Sequence, residues 1–138
     1  MYLDKENLFS DNQAITATAS STNVIYLGDP SIGLGDIKEI DVLVQVTEDF
    51  DSAADDGTLV VALRTDSDDV IGTGGKILHQ TAAIDEADLV AGYQFSFGTV
   101  PVNTLQFIDL SFTVAGSGDF TAGKITAGLV LDRQTNGV

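Results

Sequence analysis

The run Gly118-Asp119-Phe120-Thr121-Ala122-Gly123-Lys124-Ile125-Thr126 holds two glycines and a lysine at the G-x-x-x-x-G-K spacing of a loop that wraps a phosphate in backbone N–H groups. That chemistry needs a Ser or Thr directly after the lysine, to hold magnesium, and a helix after the loop. Here Ile125 follows Lys124 and the hydroxyl arrives one place late, at Thr126. Ile125, Ala127, Leu129 and Leu131 then alternate with Thr126, Gly128, Val130 and Asp132. A period of two makes a strand. Lys124 falls on the polar face with Thr126 and Asp132, turned to solvent or to a neighbouring chain, and nucleotide binding is not expected.

Closely spaced carboxylates raise a second chemistry, because hard cations such as calcium take oxygen ligands. The candidates are Asp66, Asp68 and Asp69, with Asp49 and Asp51 as a second cluster. Neither run continues into the loop glycine and distal glutamate of the helix-flanked calcium motif, and both stand at strand ends, where acidic turn residues are ordinary. The expectation is a solvated turn, with a weak calcium site as the alternative.

Other catalytic constellations lack their parts. His79 is the single histidine and there is no cysteine, so a histidine-rich or thiolate metal centre is excluded, as are a cysteine nucleophile and a disulfide framework. No serine stands in a G-x-S-x-G elbow. Twenty-one acidic residues offer many carboxylate pairs, yet the chain has no tryptophan on which a sugar ring could stack. The reading is a protein that is not an enzyme and uses no cofactor.

Length and charge narrow the partners. A chain of 138 residues suits one domain with a core of its own. Hydrophobic residues make up 43% of it, which argues for folding despite a formal net charge of −15. Six basic residues without a cluster cannot offset that charge locally, so binding to a nucleic acid or an anionic membrane is not expected. The acidic start of the chain lacks an apolar export segment, and no stretch approaches the ~20 apolar residues of a membrane-spanning helix.

The elements that would position any site are strands. Val42, Val44 and Val46 share one face of the segment from Asp41 to Val46. After the turn signal Asp55-Asp56-Gly57, Leu59, Val61 and Leu63 alternate with Val60, Ala62 and Arg64, which suggests that the two segments form a hairpin. Tyr93, Phe95 and Phe97 place three rings on one side of a strand, expected to be core. Ile108, Leu110, Phe112 and Val114 face away from Asp109, Ser111 and Thr113 in the strongest strand pattern of all. Val24 to Leu27 and Ile77-Leu78 read as further strands, Ala14 to Thr18 as a weaker one, and only Ile84 to Leu89 looks helical, for about one to two turns. Some eight short strands predict an all-β antiparallel β-sandwich over residues 14–138, with a jelly roll as its closed form. Residues 1–13 lack alternation but carry Tyr2, Leu3, Leu8 and Phe9 among charges. They read as an extended N-terminal arm, either a frayed terminus or an apolar anchor lying on another chain.

One resemblance spans most of the chain. Phe107 to Gly116 followed by Phe120 to Asp132, with Ser10 to Thr18, Ser21 to Gly28 and Val42 to Val46 in the same order before them, is similar to the Bbp16-type capsid cement proteins of tailed bacteriophages. The run from Thr121 to Asp132 is its most distinctive part. The resemblance implies a jelly-roll decoration protein on the outer surface of the virion capsid, forming a homo-oligomer, dimer or trimer, and bridging subunits of the major capsid protein without catalysis. Tyr2, Leu3, Leu8, Phe9 and Lys124 are then the expected contact residues. The second reading is a carbohydrate- or cell-surface-binding jelly roll, assisted by calcium at Asp66, Asp68 and Asp69.

Overall fold

The computed structural model describes residues 7–27, 41–72, 75–99 and 104–130. Every regular element among these residues is a strand: β1 (Leu8–Ala14), β2 (Ala19–Ser20), β3 (Ile25–Tyr26), β4 (Asp41–Ser52), β5 (Thr58–Asp66), β6 (Lys76–Gln80), β7 (Ile84–Asp85), β8 (Gln94–Thr99), β9 (Phe107–Ala115) and β10 (Phe120–Val130). They form two antiparallel sheets. One has the order β1-β10-β4-β8; the other has the order β2-β9-β5-β6, with β3 also on β9 and β7 also on β5.

The β5–β9 pair shows how residue pattern becomes register. Nine residues pair without a shift, from Thr58 opposite Ala115 to Asp66 opposite Phe107. Leu63 meets Leu110 and Val61 meets Phe112 on the face turned inward, and all four are fully buried. A slip of one residue would turn these side chains outward, so core burial fixes the register. On the other sheet Val42, Val44 and Val46 stand opposite Leu129, Ala127 and Ile125. Both sets join one core cluster, completed by Phe9, Ile15, Leu89 and Phe120. The fold is therefore all-β and sandwich-like, as the alternation predicts.

Three local expectations change. The β4 and β5 segments are not a hairpin: β4 pairs with β10 and β8 while β5 pairs with β9, β6 and β7. Each strand has an apolar face to bury, and facing one another across the core buries both, whereas lateral pairing would leave the second layer unfilled. The Asp55-Asp56-Gly57 turn consequently carries the chain from one sheet to the other, with Asp55 in the left-handed region at φ 53°. Ile84 to Leu89 is no helix. It opens as β7 and ends in a tight turn in which Ala87 N–H donates to the Asp85 carboxylate and Leu89 N–H to the Glu86 carbonyl. The aromatic stripe is not deep core, because β8 is an edge strand: Phe95 and Phe97 are half-buried and Tyr93 is 37% exposed.

The arm reading also changes from Leu8 onward. Leu8–Ala14 is a strand paired with β10, and Phe9 is a fully buried member of the core rather than a free anchor. Two register shifts and the left-handed Asn12 (φ 51°) hide the alternation, which is why the segment reads as irregular. Leu8 is half-buried against Gly128, whose missing side chain makes room for it: a Cβ there would lie 2.9 Å from Leu8 Cδ2. Tyr2 and Leu3 lie outside the described residues.

Gly123 marks the corresponding irregularity on β10. Its φ is +135°, and a Cβ would come within 2.5 Å of the Phe50 ring, which packs edge-on against Phe120. The phosphate-loop look-alike is thus a bulged strand whose second glycine admits an aromatic ring.

Two outcomes test this packing. Phe9→Ala should lose about 3–5 kcal/mol of unfolding free energy in urea titration; a loss below about 1 kcal/mol would place the ring outside the core. Gly123→Ala should cost at least about 1–3 kcal/mol from backbone strain, with the Phe50 contact adding to it. A thermal midpoint unchanged from wild type would contradict the bulge geometry.

Candidate functional site

The register that buries Leu63 against Leu110 places the next residues, Arg64 and Asp109, opposite each other on the outer face of the sheet. Arg64 Nε donates to Asp109 Oδ1 at 3.0 Å and Nη2 to Oδ2 at 2.6 Å, the two-pronged geometry that suits guanidinium and carboxylate. The remaining donors reach Ser20 Oγ of β2 and the carbonyls of Ile71 and Gly72 in the β5–β6 connection. Arg64 is 9% exposed and Asp109 1% exposed. One side chain therefore fastens β5, β9, β2 and a loop.

Burial pushes the Asp109 carboxyl above the ordinary aspartate value, against the hydrogen bonds and charge of Arg64, which pull it down. Between the ordinary and the raised value the folded chain holds a proton that the unfolded chain has released. Raising the pH through that window removes stability. Asp56 has the opposite sign: hydrogen bonds from the Ser117 hydroxyl and N–H hold it below the ordinary value. Its contribution is present above the ordinary value and is lost as pH falls through the lowered one.

Beside this pair lies an open groove of about 450 Å³, lined by Thr18, Ser20, Arg64, Ile71, Ile77 and Ser111 among others. Arg64 is the titratable group on its described lining, and its donors are spent on the protein itself. Hydroxyls and aliphatic side chains can receive a partner's chain there; they supply neither a general base nor an activated nucleophile.

The structure separates the residues singled out from sequence. Lys124 is on the solvent-facing side of β10, as the alternation predicts, 3.3 Å from Glu48 in an exposed ion pair. Such a pair contributes only about 0–1 kcal/mol, so both charges are available to a partner. Asp66 turns its carboxylate back on its own loop, accepting from Ser67 N–H at 2.6 Å and Asp68 N–H at 3.4 Å. Asp66, Asp68 and Asp69 are not brought onto one shared ion. Among the described residues the carboxylates that do converge are Asp51, Asp55 and Glu86. Asp51 belongs to the second acidic cluster, but its companions are 4 and 35 positions away, and Glu86 sits in the segment that reads as helix. His79 stacks on Phe97 at 6.3 Å, extending the Tyr93-Phe95-Phe97 ladder from β8 to the edge strand β6.

Two antiparallel sheets around one core, with the buried ion pair committed to fastening the strands of one of them, define a β-sandwich-like domain. The sequence model of the Bbp16 family matches residues 9–129, and the chain belongs to that family. No curated protein matches it significantly.

Arg64→Met should destabilise the fold by about 3–5 kcal/mol, because it leaves a buried carboxylate unpaired. The deficit should shrink as pH falls and Asp109 takes up its proton. Arg64→Met/Asp109→Leu should recover most of the loss. Urea titrations from acid to neutral pH read all three effects, and a deficit independent of pH would show that the pairing with Asp109 is not its source.

Proposed function

We propose that the chain is a capsid cement protein: it binds the outer surface of an icosahedral phage head as a homo-oligomer and bridges subunits of the major capsid protein. The observation that carries this reading is the family match over residues 9–129, which covers all but the last three residues of the ordered segments whose resemblance implies that role. The strand order supports the accompanying jelly-roll reading. β1, β4, β8 and β10 fall in one sheet and β2/β3, β5, β6/β7 and β9 in the other, so the chain changes sheet at every step between these groups except from β5 to β6/β7, as two interlocked Greek keys do.

A protein that binds the closed shell and not its separated subunits stabilises the shell by linkage, in proportion to occupancy and affinity. Bridging needs a rigid body with contact surfaces, and the cross-sheet core favours that. The net charge of −15 favours a basic docking surface and an attachment that salt weakens by screening. Lys124 on β10 and Glu48 opposite it on β4 offer both signs on one exposed sheet face, and Tyr2 and Leu3 are the apolar contacts proposed from the N-terminal segment.

The protein should co-purify with phage particles in a fixed ratio to the major capsid protein and appear as ordered density on the shell exterior. Its absence from particles would end this reading. Occupancy should fall from low to high ionic strength, and Tyr2→Ala/Leu3→Ala should lower it while leaving the unfolding midpoint of the isolated chain unchanged. Full occupancy of the double variant would remove the N-terminal segment from the interface.

A further inference from the structure

We propose that Asp51, Asp55 and Glu86 form a divalent-cation site of the calcium type. The three come from separate parts of the chain: the end of β4, the connection that crosses between the sheets, and the turn after β7. One carboxylate oxygen from each lies within 4.8 Å of the other two. Two oxygens bound to one calcium can be at most about 4.8 Å apart, twice a bond of about 2.4 Å, so each pair of the three is within the span of one coordination sphere.

Convergence of acids is common at surfaces; Glu86 is what separates this group from an ordinary acidic patch. It is 8% exposed, its carboxylate faces the two aspartates, and its Oε2 has no hydrogen-bond partner. The group is held there by the backbone, since Glu86 N–H donates to the Gly57 carbonyl at 3.0 Å. Gly57 in turn leaves room for it: a Cβ at that position would lie 2.9 Å from Glu86 Oε2 and 2.5 Å from the Phe120 ring. A carboxylate oxygen buried like Oε2 loses its hydration and gains no donor in exchange. Neither ion pair formed among the described residues reaches these three acids. The adjacent Asp56 is already engaged by Ser117, so it does not compete for the ion.

A cation resolves the shortage of positive partners. It neutralises most of three negative charges, and waters from the open side complete the six to eight oxygens that calcium takes. Two of the ligands, Asp51 and Asp55, are exposed, which places the affinity in the weak range of extracellular calcium modules, with Kd on the order of 10⁻⁴ to 10⁻³ M. The bound ion ties the β4–β5 crossing to the turn after β7. This inference stands independently of the capsid role.

The test uses the full chain, stripped with a chelator and titrated with calcium chloride by calorimetry, with urea unfolding followed in parallel. One calcium should bind per chain, and the unfolding midpoint should rise with calcium. Glu86→Gln and Asp51→Asn should each weaken binding roughly tenfold or more, while Asp66→Asn/Asp68→Asn should leave it unchanged. Asp51 is exposed, so its variant decides the matter even if Glu86→Gln fails to fold. The proposal is overturned by a wild-type chain that shows neither heat nor a midpoint shift at several millimolar calcium, by a shift that persists in Asp51→Asn, or by an equal response to magnesium.

Discussion

Arg64 projects from β5 into the one place where β2, β9 and the β5–β6 connection meet, and its guanidinium bonds to all three. This arrangement follows from the unbroken register between β5 and β9. Burying Leu63 against Leu110 on the inner face leaves no choice about which residues oppose each other one step further, and those are Arg64 and Asp109. Core and ion pair are two faces of the same pairing. The ion pair is not itself a large source of stability, since desolvating both charges offsets much of their attraction. Its effect is specificity of register, because any slip of β9 would strand a buried charge.

The other sheet is shaped by departures from regularity. Gly123 and Asn12 both adopt left-handed or extended positive-φ conformations where their strands shift register. These bulges turn β10 so that Phe50 can close over it, and β1 so that Phe9 enters the core. At the opposite edge, β8 and β6 are linked across the open side of the sandwich by the Phe95-Phe97-His79 stack. Asp51, Asp55 and Glu86 gather negative charge at the β4–β5 crossing, which a bound cation would balance.

Alternation in the sequence is enough to place strands at Asp41 to Val46, Leu59 to Arg64, Ile108 to Val114 and from Ile125 onward, inside the longer strands observed, and to turn Lys124 outward, because a two-residue period is a local property of the backbone. It also rules out the phosphate loop, since no helix follows Lys124. The run of family-like segments carries the family assignment in the same way, from order along the chain alone.

Tertiary structure decided which strand lies beside which. β4 and β5 are consecutive and joined by a turn, yet they belong to different sheets, because burial of two apolar faces across a core outweighs lateral pairing and leaves no local trace. Phe9 looked free for a similar reason: a bulge breaks the alternation by which a strand is read. The convergence of Asp51, Asp55 and Glu86, and of Arg64 with Ser20 and Asp109, depends on bringing together partners up to 45 positions apart. Residue type states what a carboxylate or guanidinium can bind; only the packed sheets bring its partners within reach.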